Sequence, residues 1–78
     1  MTGKELRDAR GTLGELWGLP GPLPMAALGR VLRLQGRDPG ATVRDWERRG
    51  GPTGPAALAV ELMLDGARPR DLETLLNP

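Results

Sequence analysis

Apolar residues in this chain recur at three- and four-residue intervals, and no segment alternates apolar with polar as a half-buried strand does. The pattern predicts an all-α chain. Thr2-Gly3-Lys4-Glu5 has the capping-box form: a hydroxyl placed to take an early backbone N–H, and a carboxylate three residues on that reaches back. Helix 1 is therefore expected from Thr2, with Leu6, Ala9, Leu13 and Leu16 on its inner face. Gly18 to Leu23, interrupted by Pro20 and Pro22, cannot continue a helix and reads as a loop. Helix 2 is expected over about 24–34, opened by Pro24 and closed near Leu34, with Met25, Leu28, Val31 and Leu32 inward. Gly29 within it suits the close approach of another helix, at some cost in helix propensity.

Gln35-Gly36-Arg37 reads as a turn. Helix 3 is expected over about 39–49, because Asp38 can cap it, Pro39 suits its first position and Gly50-Gly51-Pro52 stops it. Val43 and Trp46 share its inner face, which makes Trp46 a core residue before a base-stacking one. Gly40, Ala41, Arg44, Asp45 and Arg48 point elsewhere. Helix 4 opens at Gly54-Pro55, buries Leu58 and Leu62 with Ala59 and Met63, and ends at Gly66. A last short helix, Pro69 to Leu76, offers Leu72, Leu75 and Leu76 either to helix 4 or to a second subunit. Trp17, after helix 1, either plugs the core edge or lies in a partner interface.

Composition narrows the chemistry. The 78 residues suffice for one domain over 1–78, and a core that small is marginal alone, which favours dimerisation. Cysteine, histidine and serine are all absent. That removes disulfides, thiolate metal sites, the commonest general base and any Ser-His-Asp arrangement, so no enzyme, metal or cofactor is expected. No stretch approaches the ~20 apolar residues of a membrane span, and the N-terminus has no signal-peptide pattern, so a cytoplasmic protein is expected.

Net charge is only +1, but it is unevenly spread. Residues 1–29 are neutral, residues 50–78 carry −2, and residues 30–49 carry +3, with six arginines against Asp38, Asp45 and Glu47. Two short helices and a turn, the second helix rich in exposed arginine, are what a major-groove reader needs, because arginine meets a guanine edge with two parallel hydrogen bonds. A solvated arginine face is the blander reading of the same pattern. The candidate DNA contacts are Arg37, Gly40, Ala41, Thr42, Arg44, Asp45, Arg48 and Arg49. Gly40 and Ala41 qualify as small residues at a helix start, where backbone can approach phosphate. Arg37 suits the phosphate backbone, and Thr42 either caps locally or touches phosphate. Asp45 pairs with Arg48 or Arg49, or accepts from a cytosine amino group. Arg30 and Arg33 read as solvated helix residues.

The stretch Thr42-Val43-Arg44-Asp45-Trp46-Glu47-Arg48 resembles the recognition-helix signature of the phage repressor/Cro-like (XRE-type) helix-turn-helix family. Glu5 to Arg10 resembles that family's first helix, Leu23 to Leu32 its second, and Gly54 to Ala59 the opening of its fourth. The resemblance implies a five-helix lambda-repressor-like fold and a homodimer that binds a double-stranded operator as a transcriptional regulator, a repressor of its own operon of the kind encoded beside phage, toxin–antitoxin or anti-CRISPR genes, with no small-molecule effector. It also implies an ion pair, Arg10 with Glu47, clamping helix 1 to helix 3. Three departures stand out: Arg33 where the family has glycine, a longer turn before helix 3, and Met25 where the family often has a phosphate-holding glutamine. The alternative is a small helical protein-interaction module that does not bind DNA.

Overall fold

The computed structural model describes residues 1–78 as five helices and no strand: α1 (Gly3–Leu16), α2 (Met25–Val31), α3 (Pro39–Arg49), α4 (Gly54–Leu64) and α5 (Leu72–Leu76). The capping box at Thr2 is formed. Glu5 N–H donates to the Thr2 hydroxyl at 3.0 Å, and Thr2 N–H donates to the Glu5 carboxylate at 2.8 Å. Those two bonds satisfy donors that a helix start otherwise leaves free. At α3, the Asp38 carboxylate accepts from Gly40 N–H at 3.0 Å, and Pro39 needs no partner because it has no N–H.

One cluster of 11 buried residues forms the core, among them Leu6, Leu13, Leu23, Leu28, Val43 and Val60, each at 0% exposure. Every helix contributes to it. The α2–α3 pair packs most extensively, α1 lies across α3 and α4, and α5 rests on α2. The Cα radius of gyration is 11.2 Å, matching the roughly 11.5 Å that size scaling gives for one body of this length. Tight approach of α2 and α3 depends on missing side chains. A Cβ at Gly29 would collide with the Pro39 carbonyl, and one at Gly40 would press on the Ala26 backbone at 3.0 Å.

Helix 2 is shorter than its sequence suggests. It ends at Val31, with Leu32 as cap and Leu34 outside it. Arg33 N–H donates to the Arg30 carbonyl and Leu34 N–H to the Gly29 carbonyl, which closes the helix as a Schellman motif. The same two-bond closure ends α1 at Gly18 and α4 at Gly66. Those glycines adopt positive φ freely, whereas Arg33 takes φ +60° as the one non-glycine residue there.

Three further expectations need correction. Leu16, the last residue of α1, is 53% exposed, and Trp17 and Leu19 pack against the core instead. Leu58 and Leu62 are 55% and 50% exposed, and Val60 and Met63 are the buried residues of α4. The segment Gly54–Leu64 is apolar nearly all round, with Glu61 as its single charge, so periodicity could not fix which side turns inward. The final helix begins at Leu72 and not at Pro69. Leu72 is buried, and Leu75 and Leu76 are half-buried against the core, so its apolar side is used within the chain. Arg30 fastens this helix by donating from Nε to the Leu75 carbonyl at 2.7 Å. No helix is long and apolar enough to cross a membrane.

Candidate nucleic-acid interface

The outer surface of α3 is defined by what holds its inner surface. Val43 is fully buried, Gly40 seats against α2, and Trp46 packs on the core. At 100° per residue, this leaves Ala41, Arg44, Asp45 and Arg48 on the opposite side, a stripe about 10 Å long. Arg44, Asp45 and Arg48 are exposed, as are Arg37 in the preceding turn and Arg49 at the helix end. Ala41 and Thr42 are half-buried. Gly40 is the exception among the candidate contacts. It is buried, and its small size serves the α2–α3 contact instead of opening the helix start to a ligand.

Arg10 and Glu47 tie this helix to α1. Arg10 Nε donates to one Glu47 oxygen at 2.6 Å, and a terminal N–H donates to the other at 3.1 Å. The remaining guanidinium nitrogen donates to the Leu23 carbonyl at 3.0 Å, so one side chain joins α1, the α1–α2 loop and α3. The Glu47 side chain is 4% exposed and that of Arg10 13%. Two parallel charge-assisted bonds in that enclosure set both the position and the rotation of α3. Arg7 adds a looser approach at 3.5 Å from an exposed side chain.

On the outer face the charges are less constrained. Asp38 uses one oxygen for the helix cap and turns the other toward Arg44, at 3.5 Å with both side chains exposed. Asp45 forms no ion pair with Arg48 or Arg49, contrary to one of its two expected roles. Arg37, Arg48 and Arg49 also lack a carboxylate within 4 Å. A row of guanidinium groups free to reorient, on a helix fixed from behind, can form bidentate hydrogen bonds to an external acceptor edge.

Sequence reasoning missed the Asp38–Arg44 pair, because a spacing of six across a helix cap belongs to no standard helical pairing. It also missed the left-handed backbone at Arg33 and the tie from Arg30 to α5. The family resemblance, with glycine at the place of Arg33, signalled a closing position there, but the helix expected to run to Leu34 carried Arg33 inside it. No cluster of three or more His, Cys, Asp or Glu side chains is positioned to hold a metal. No family model, curated protein or solved structure matches the chain.

Proposed function

We propose that the chain is a sequence-specific DNA-binding regulator of the helix-turn-helix type, in which α3 enters the major groove and two copies occupy an operator. The observation that carries this reading is the outward stripe of Arg44, Asp45 and Arg48 on a helix anchored by the Arg10–Glu47 clamp. Arg44 and Arg48 read base edges, and Asp45 accepts from a cytosine amino group. Arg37 and Arg49, at the two ends of the stripe, meet phosphate. In this reading two copies meet through α4, where Leu58 and Leu62 are exposed, because α5 is already committed to its own core.

Retention on immobilised duplex DNA through a rising salt gradient tests the reading. Binding should be strong at low salt and fall steeply as counterions compete. Protection of one short segment in footprinting of the DNA upstream of the gene should follow. Flow-through at low salt would overturn it. A protein-interaction module is then the reading left, and the half-exposed Leu58 and Leu62 are the observation that favours it.

A further inference from the structure

A groove of about 500 Å³ runs between the C-terminal end of α2 and α4. None of its lining residues comes from α3, so it is separate from the candidate DNA stripe. Leu32, Ala59 and Met63 are among the apolar residues that form its floor. Arg33 and Arg68 also line it, and the same two arginines join Arg70 and Asp71 around a second, polar hollow. Positive charge is therefore gathered at one end of an apolar trough.

Two observations single out this end of the groove. Arg33, Arg68 and Arg70 are all exposed, and none has a carboxylate within 4 Å, although Asp71 borders the same hollow. Arg33 also holds a left-handed backbone at the closing position of α2, where the corresponding residues of α1 and α4 are glycine. A residue with a Cβ is strained there, and strained backbone of this kind gathers at ligand-binding positions. Arg33 lines both the groove and the polar hollow beside it.

The geometry points to a binding site for a small amphiphilic acid: an alkyl or aryl body along the α2–α4 groove and a single anionic head at Arg33, Arg68 and Arg70. The volume falls within the range of small-molecule sites, with an apolar lining and a few convergent polar groups. An acidic partner helix fits less well, because it needs cations along its length and the α4 wall of the groove carries none. The sequence carries no sign of an effector. The site arises from two stretches far apart in the chain, 31–33 and 55–71, and does not depend on the DNA-binding reading.

Decanoate below its micelle concentration is the probe, followed by NMR of the Met63 and Ala59 methyl groups, with decanol and inorganic phosphate as controls. Decanoate should saturate one site and shift both methyls. Decanol, which keeps the chain and lacks the charge, should bind at least about tenfold more weakly, and phosphate should leave the methyls unmoved. Arg68→Gln should weaken decanoate by about tenfold. Arg33→Gly should weaken it similarly while raising the urea midpoint, since glycine relieves the backbone strain and the carboxylate head is left with one guanidinium fewer. Equal binding of decanol and decanoate would overturn the proposal, as would shifts appearing only with micelles. Undiminished affinity in both arginine variants would also overturn it. Because no DNA enters the measurement, failure here and failure of DNA binding are separate results.

Discussion

Arg10 closes on both oxygens of Glu47, and through that grip the first helix fixes how the third one faces. Removing one partner of an enclosed pair leaves the other charge without compensation, at a cost of about 3–5 kcal/mol. Glu47→Ala should therefore unfold at much lower urea than the parent. Glu61→Ala, at an exposed site, should stay within about 0.5 kcal/mol. Coincident midpoints for the two variants would contradict the clamp.

The arginines of α3 and of the turn before it should separate by readout. Arg44→Ala and Arg48→Ala should each lose about 1–3 kcal/mol on the operator and relax preference at one base pair. Arg37→Ala should weaken operator and random duplex alike and lower the salt slope by about one unit. Titrations at fixed salt, then across salt, distinguish these outcomes. Unchanged affinity and preference in both α3 variants would remove α3 as the reader.

Self-association should depend on α4. Leu58→Glu and Leu62→Glu place charge where exposure is already half or more, so the fold should persist while sedimentation shifts to monomer. Truncation before Leu72 should do something different. It removes a buried core residue and the carbonyl that holds Arg30, so the chain should lose stability as well as partners. Dimers that survive both glutamate variants would place the contact elsewhere.

Acid should loosen the start of α1. The Thr2 N–H, and next its hydroxyl, hold the Glu5 carboxyl below its ordinary value of 4.5. A carboxyl depressed on folding stabilises the folded state above its unfolded pKa, and that contribution fades as pH falls through the folded value. Parent and Glu5→Gln should differ in urea midpoint at neutral pH and converge in acid. A difference that persists undiminished in strong acid would remove the carboxylate from the cap.

Local devices made much of the architecture legible in the sequence. Thr2 with Glu5 and Asp38 with Pro39 mark helix starts through hydrogen bonds made within a few residues, and both starts are where those residues put them. The outer face of α3 followed from Val43 and Trp46 turning inward. What was not legible depended on neighbours far away in the chain. The facing of α4 is set by its packing on α1, and a helix apolar nearly all round has no polar stripe to declare it. The early end of α2 rests on Arg33 adopting a conformation that its residue type disfavours. The Arg10–Glu47 pair spans 37 positions, and only the family resemblance suggested it. Gly40 misled for a related reason: smallness at a helix start serves a ligand or a neighbouring helix equally well, and Ala26 occupies that space.

The anchoring of α3 separates two kinds of evolutionary constraint. Its hold on the molecule runs through Gly40, Val43, Trp46 and Glu47, all on the inward side. Outward, Asp45 and Arg48 have no intramolecular partner, and Arg44 has only an exposed one. Substitution at those three positions changes the surface presented without disturbing the scaffold. The chain can therefore vary at these positions while keeping the same core, and a library randomised at 44, 45 and 48 should consist largely of folded proteins.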